Sequence, residues 1–310
     1  MSTVATLRAN QAPSPSVRLA SERESSFVTR DGLILRVREW GDPAARPMVL
    51  LHGLRGFSGT WRGLAEALED GWRLIALDQR GRGDSDWDPN RNYYTHAYLA
   101  DLEDMLAALG IGRFVLLGHS MGGTTAYVYA ARNPDRLDAL IIEDIAPGSS
   151  VSGAGAERIK AEMAALPMRF ADWAEARAYW RSARPTVSEE ALEQRLSESL
   201  CESAEGDVIW RYDAEGISRT RLDPDPARVI DLWPVVDAIR TPAFVIRGGR
   251  SDFCRLDTVR EMTRRNAHFA HATVMDASHY VHDDAPAVFH ALLQGFLAGV
   301  AVSAKAAGDR

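Results

Sequence analysis

The 310-residue sequence predicts an α/β fold in which a mostly parallel, eight-stranded sheet is flanked by helices. Short, continuous apolar runs recur along the chain, as expected of parallel strands that are buried on both faces. Segments with helical spacing of apolar residues lie between these runs, so the pattern predicts βαβ units. One long interval, residues 147–241, interrupts the alternation with helical patterns. This interval predicts a helical cap inserted after the sixth strand.

The first two strands are predicted to form a hairpin. Residues 27–30 and 33–40 flank the dipeptide Asp31-Gly32, which suits a type I′ turn. Apolar and charged residues alternate along the second segment, as in a strand with one buried face.

The remaining elements follow from apolar runs and helical periodicity. Predicted strands cover residues 48–51, 73–77, 114–117, 140–142, 243–246 and 272–275. Predicted helices of the core cover residues 60–69, 98–109, 124–132, 256–265 and 285–297, and those of the cap cover 156–166, 171–183 and 188–200. The sequence thus divides into a core of residues 23–146 and 242–300, a cap of residues 147–241 and a disordered tail of residues 1–22.

Composition excludes several classes of function. A hydrophobic content of 46% and a charged content of 25% are ordinary for a globular chain and exclude general disorder. The net charge of -7 argues against a nucleic-acid partner. The uncharged runs 114–131 and 285–304 are interrupted by glycine, histidine or proline, so we expect no membrane span. Without an apolar leader at the N-terminus, we expect a cytoplasmic protein that acts on a small molecule, and the sequence leaves its oligomeric state open.

Residues 118–122, Gly-His-Ser-Met-Gly, fit the G-x-S-x-G pattern of a nucleophile elbow. In such an elbow a serine stands at the apex of a sharp turn from strand to helix, and the glycines remove Cβ atoms that would collide there. A predicted strand precedes the motif and a predicted helix follows it, so we expect Ser120 to be a nucleophile. The N–H of Met121, at the start of that helix, and the N–H of Leu54, in the loop after strand 48–51, are the expected oxyanion-hole donors.

A nucleophilic serine needs a base, and the base needs an acid that orients it. His279 follows the last predicted strand and therefore lies at the same edge of the sheet as Ser120. His282 and His271 are rivals for the base, whereas His52 is expected to shape its own loop.

Two aspartates are candidates for the acid because both follow strands at this edge. Asp252 lies in the loop after strand 243–246, and Asp144 lies at the end of the sixth strand. We favour Asp252 and keep Asp144 as its competitor. Either choice gives the chain order Ser, Asp, His.

These motifs together resemble a capped serine hydrolase of the α/β-hydrolase superfamily, over roughly residues 27–297. The matching segments are residues 51–53 (Leu-His-Gly), 78–85 (Asp-Gln-Arg-Gly-Arg-Gly-Asp-Ser), 118–122, 249–252 and 278–279. The resemblance implies that the charges of segment 78–85 brace the loop beside the active site. A serine at the nucleophile position disfavours dehalogenases and epoxide hydrolases of this superfamily, which use aspartate there.

The expected reaction is hydrolysis of a carboxylic ester or lactone through an acyl-enzyme, with no metal or cofactor. Aromatic residues of the cap, Trp180 and Trp210 among them, favour a small hydrophobic substrate. Arg55, next to the proposed oxyanion donor, is a further candidate for substrate binding. The same triad is compatible with hydrolytic carbon–carbon cleavage, with perhydrolysis, or with a receptor that turns its ligand over slowly.

Overall fold

The computed structural model describes residues 21–308, apart from residues 69, 184, 186 and 187. The predicted tail, except for its last two residues, lies outside this range. The strands are β1 (Arg23–Val28), β2 (Ile34–Trp40), β3 (Arg46–Leu51), β4 (Trp72–Leu77), β5 (Phe114–His119), β6 (Leu137–Glu143), β7 (Arg169–Phe170), β8 (Leu200–Glu202), β9 (Val208–Trp210), β10 (Ala243–Gly248) and β11 (Phe269–Val274).

Eight strands form the central sheet in the order β1-β2-β4-β3-β5-β6-β10-β11. β2 pairs antiparallel with β1 and β4, and the other neighbours are parallel, which confirms the predicted fold class. The last strand begins three residues before the predicted segment 272–275, because Phe269 already pairs with Ala243 of β10.

The helices are α1 (Arg62–Leu68), α2 (Thr95–Ala108), α3 (Met121–Arg132), α4 (Ala154–Ala164), α5 (Trp173–Ala183), α6 (Glu189–Ser199), α7 (Ala214–Leu222), α8 (Leu232–Ala238), α9 (Leu256–Arg265), α10 (Val281–Asp284) and α11 (Pro286–Gly308). Across the described part of the chain, none of them has the length and hydropathy that would carry it through a bilayer.

The sheet separates two hydrophobic layers, because successive side chains of a strand point to opposite faces. Val49 and Leu51 of β3 join the cluster that packs on α2, α3, α8 and α9. Met48 and Leu50 of the same strand join the cluster on α1 and α11. The uninterrupted apolar runs in the sequence reflect this burial on both faces.

The segment between β6 and β10 contains α4 to α8 and also a small antiparallel sheet in the order β7-β9-β8. The sequence analysis missed this sheet because its strands have only two or three residues each, too few to show alternation. A third hydrophobic cluster joins Trp180 and Trp210 of this segment to Met121 of the elbow. The cap therefore packs directly on the turn that carries Ser120.

Candidate active site

Ser120 occupies a strained turn between β5 and α3. Its φ of 52° and ψ of −115° put a residue with a side chain in a sparsely populated conformation, as in a nucleophile elbow. A Cβ atom at Gly122 would lie 2.4 Å from the Leu51 carbonyl oxygen, and one at Gly118 would lie 2.5 Å from the Gly122 carbonyl oxygen. Both glycines of the motif are thus required by close backbone approach.

Three buried side chains form a hydrogen-bonded chain at this turn. The Ser120 Oγ lies 3.0 Å from His279 Nε2, and His279 Nδ1 lies 2.7 Å from Asp144 Oδ2. An aspartate carboxylate accepts only, so Nδ1 carries the proton and Nε2 is left to accept from the hydroxyl. Ser120 and His279 therefore lie within hydrogen-bond distance of each other, as the sequence predicted.

Asp144 is the acid in this chain of bonds. It directly follows β6 and, like Ser120, has a left-handed backbone, with φ at 51°. Its Oδ1 accepts from the Gly248 N–H at 2.8 Å, and the Ser251 hydroxyl donates to Oδ2 beside His279. These donors fix the direction of the carboxylate, which is fully buried.

The predicted contact between Asp252 and His279 is wrong. The Asp252 carboxylate instead accepts two hydrogen bonds from Arg158 of α4, at 2.8 and 2.9 Å, and this pairing lowers the pKa of Asp252. The loop after β10 turns Ser251 toward the site and leaves the Asp252 side chain about one third exposed. Asp252 therefore links the core to the cap.

The two expected oxyanion donors lie on the loop after β3 and at the first residue of α3. The Met121 N–H has no carbonyl four residues earlier in its own helix to bond to. Arg82 connects the two residues, because its Nε donates to the Leu54 carbonyl at 3.1 Å and its Nη2 lies 3.2 Å from the Met121 Sδ. The guanidinium thereby links the backbone of Leu54 to the side chain of Met121.

A cavity of about 360 Å³ opens at Ser120 and His279, within the range of small-molecule sites. Trp180 lines this cavity, as expected, whereas Trp210 lies behind it and donates its indole N–H to the Pro167 carbonyl at 2.7 Å. Trp210 supports the wall through a ring contact with Trp180, at 5.9 Å between centroids. Arg55 also lines the cavity, and it binds Glu162 of α4 at 2.6 Å.

His52 and His271 lie in other surroundings than His279. His52 accepts from the Gln79 N–H at Nε2, and its Nδ1 lies 2.8 Å from the Gly53 carbonyl. Burial lowers the pKa of His52 to about 3, so it is neutral and serves the loop, as expected. His271 lies on β11 in a partly exposed position.

A model of the α/β-hydrolase fold matches residues 46–286 of the chain. The chain belongs to the α/β-hydrolase family. A putative 2-succinyl-6-hydroxy-2,4-cyclohexadiene-1-carboxylate synthase of Bacillus subtilis is 30% identical to this hydrolase over 89% of its length and 98% of the relative. An esterase of Mycobacterium tuberculosis is 29% identical over 83% of this hydrolase and 84% of that protein.

A solved structure of an α/β hydrolase from Novosphingobium aromaticivorans superposes on this hydrolase with a TM-score of 0.77. The two are 29% identical, and the match covers 90% of this chain and 99% of the other. The family match and the esterase relative together identify the chain as a hydrolase.

Segment 78–85 of this hydrolase braces the site, as the resemblance implied. Asp78 accepts from the Ser58 N–H at 2.5 Å, which fixes the turn after the oxyanion loop. Arg80 is buried against Asp101 and Asp88 at 2.6 and 2.7 Å. These charges hold loops in position and do not contact Ser120 or His279 in the described structure.

Sequence reasoning missed a second acid–histidine pair beside the first. Glu143 directly precedes Asp144, and both of its carboxylate oxygens lie 2.8 Å from His282 Nδ1. The His282 N–H also donates to this carboxylate. Two features of the sequence could have indicated this second pair: the consecutive acids Glu143 and Asp144 at the end of β6, and the three-residue spacing of His279 and His282.

His119, Glu143 and His282 bring three buried potential metal ligands within 4.8 Å of one another. Their donor atoms are largely engaged, since His282 Nδ1 bonds Glu143 and His119 Nε2 donates to the His279 carbonyl at 2.9 Å. The cluster supports the backbone of the loop that carries His279.

Proposed function

We propose that this hydrolase cleaves a carboxylic ester or lactone of a small, largely hydrophobic substrate through an acyl-enzyme on Ser120. The observation that carries the proposal is the chain of contacts from Ser120 through His279 to Asp144 at the floor of the cavity. A nucleophile, a base and an orienting acid in this order form an arrangement that performs acyl transfer in serine hydrolases.

In the proposed first step, Ser120 Oγ attacks the carbonyl carbon while His279 Nε2 takes the hydroxyl proton. Asp144 holds the imidazole in the required tautomer and stabilises the imidazolium that forms. The negative charge on the carbonyl oxygen is stabilised by the N–H groups of Leu54 and Met121, each contributing about 10²–10³ in rate.

Collapse of the tetrahedral intermediate breaks the bond to the alkoxy group, which receives the proton from His279. Water then enters, His279 removes its proton, and attack on the acyl carbon releases the acid and restores Ser120. Each proton transfer in this sequence is made by His279, which lies within hydrogen-bond distance of Ser120.

An ester or lactone is favoured by the esterase relative and by the walls of the cavity. Trp180, Phe253 and Ile159 line the cavity next to Ser120. Such aromatic and aliphatic surface suits the hydrocarbon part of an acyl or alcohol group.

The test combines labelling with turnover. A fluorophosphonate probe is expected to label Ser120, with peptide mapping to locate the adduct, and short p-nitrophenyl esters are expected to be hydrolysed by the natural sequence but not by Ser120→Ala. Turnover that survives in Ser120→Ala overturns the proposed nucleophile. Labelling of Ser120 without hydrolysis of esters or lactones overturns the proposed reaction and points to carbon–carbon cleavage, perhydrolysis or a receptor.

A further inference from the structure

The active-site cavity carries more positive than negative side chains among the described residues that line it. Its cationic residues are Arg55, Arg158, Lys160, Arg195 and Arg221, whereas Glu162 is the carboxylate in the same lining. An imbalance of this kind needs either neighbouring acids behind the wall or an anionic ligand.

Four of the five cations have carboxylate partners in the protein. The pairs are Arg55 with Glu162, Arg158 with Asp252, Lys160 with Glu157, and Arg195 with Asp283. These four positive charges are neutralised within the protein and therefore do not require an anionic ligand.

Arg221 is different. It lies on α7 and is partly buried, and no carboxylate of the described residues comes within 4 Å of its guanidinium, nor does any described residue accept a hydrogen bond from it. Burial lowers the pKa of Arg221, whereas the bonds to Asp252 raise the pKa of Arg158. An arginine nevertheless stays protonated, so Arg221 presents an uncompensated charge to the cavity.

Arg82 carries a second positive charge without a carboxylate partner among the described residues, and it interacts electrostatically with Arg221. The buried Arg82 guanidinium donates to the Tyr98 hydroxyl at 2.6 Å and stacks on the rings of Tyr93 and Tyr98, with no carboxylate within 4 Å among the described residues. Both Arg82 and Arg221 interact electrostatically with Tyr98. Since Arg82 also binds Leu54, this positive region borders the proposed oxyanion donors.

We propose that Arg221 binds a carboxylate of the substrate, so that the ester or lactone cleaved at Ser120 bears a negatively charged group. This inference rests on the proposed function. A guanidinium offers two parallel N–H donors that match the two oxygens of one carboxylate. Arg221 contributes one unpaired guanidinium to the described cavity lining, which fits a monoanion, whereas a phosphate dianion would call for more donors.

Matched substrates test this proposal. The mono-4-nitrophenyl esters of adipate, pimelate and suberate carry a terminal carboxylate, and the 4-nitrophenyl esters of the corresponding monocarboxylic acids do not. The measured quantity is the ratio of kcat/KM for the charged ester to kcat/KM for its neutral counterpart. We expect this ratio to exceed 1 in the natural sequence and to fall about 10- to 100-fold in Arg221→Met, the loss typical of a charge-assisted hydrogen bond.

Lys160→Met is the matched control, because it removes a cation that lines the cavity but is paired with Glu157 at 3.4 Å. Its ratio is expected to stay within about twofold of the natural value. Equal ratios in the natural sequence and in Arg221→Met, or an equal fall in Lys160→Met, would overturn the assignment of Arg221. Circular dichroism of each variant checks that the fold is kept.

A binding measurement separates the failure of this inference from the failure of the proposed reaction. Adipate is titrated into Ser120→Ala and into the double variant Ser120→Ala/Arg221→Met by calorimetry. Adipate binding that depends on Arg221, together with no hydrolysis of any ester, refutes the proposed reaction and leaves the anion site standing. Ester hydrolysis without adipate binding and without preference for the charged esters refutes the anion site alone.

Discussion

The identity of the acid is the sharpest test of the active-site geometry, and Asp144→Asn is the substitution that addresses it. Asp144 Oδ1 accepts from the Gly248 N–H at 2.8 Å, so the asparagine oxygen must take this position. Its amide nitrogen then occupies the position of Oδ2, 2.7 Å from His279 Nδ1. An amide donates there, which forces the histidine proton onto Nε2.

A histidine protonated at Nε2 cannot accept the proton of Ser120. The corresponding substitution in a serine protease lowers kcat by about 10⁴ with the geometry intact. We therefore expect Asp144→Asn to lower kcat by about 10³–10⁴, or about 4–5.5 kcal/mol of transition-state stabilisation. The assay is steady-state hydrolysis of p-nitrophenyl acetate, with the rate of fluorophosphonate labelling as a second readout.

Asp252→Asn is the matched control. Asp252 is about one third exposed and pairs with Arg158, so its loss removes a surface ion pair worth about 0–1 kcal/mol of stability. We expect kcat to remain within about threefold of the natural value. A loss in Asp252→Asn that equals or exceeds the loss in Asp144→Asn would refute the assignment.

Three further predictions concern stability, each measured by urea unfolding. Gly122→Ala puts a Cβ 2.4 Å from the Leu51 carbonyl oxygen and is expected to cost about 3 kcal/mol or more; an unchanged midpoint would contradict the elbow geometry. Arg80→Met leaves the buried carboxylates of Asp88 and Asp101 without their cation and is expected to lower the free energy of unfolding by about 3–5 kcal/mol. A decrease below about 1 kcal/mol would show that these ion pairs do not stabilise the fold. Burial opposes protonation of His282, but Glu143 outweighs it and raises the pKa of His282. Because the pKa of His282 is higher in the folded than in the unfolded protein, its protonation stabilises the fold fully at pH values below the unfolded pKa of 6.5. This contribution is lost as the pH rises through the folded pKa, so His282→Gln should destabilise the protein more at pH 6 than at pH 9. A difference that does not change with pH would refute the charged pair.

Ser120 and His279 were predictable because each follows a parallel strand, and a residue's place after a strand can be read from the sequence. Parallel strands end at one edge of the sheet, and a motif with strict glycine spacing marks the turn that carries Ser120. The expected donors Leu54 and Met121 follow from the same reasoning.

The acid was not predictable in this way, because Asp144 and Asp252 follow neighbouring strands, β6 and β10. The direction of the backbone after each strand decides between them. Asp144 turns inward with a φ of 51°, whereas the loop after β10 presents Ser251 to the site and turns Asp252 to the cap. Neither backbone conformation can be recognised from the residue types or their spacing in the sequence.

The pairing of Asp252 with Arg158 has a consequence for how this scaffold accommodates change. The Asp252 carbonyl in the loop after β10 also accepts a hydrogen bond from the Gly155 N–H, so the N-terminal half of α4 is bonded to this loop through both Gly155 and Arg158. The residue that fastens this helix is distinct from Asp144, so a different helical segment grafted at this joint would replace none of Ser120, His279 and Asp144. Exchange of this segment between homologues thus changes the wall of the cavity, to which Ile159 and Trp180 contribute, while the three hydrogen-bonded residues are kept.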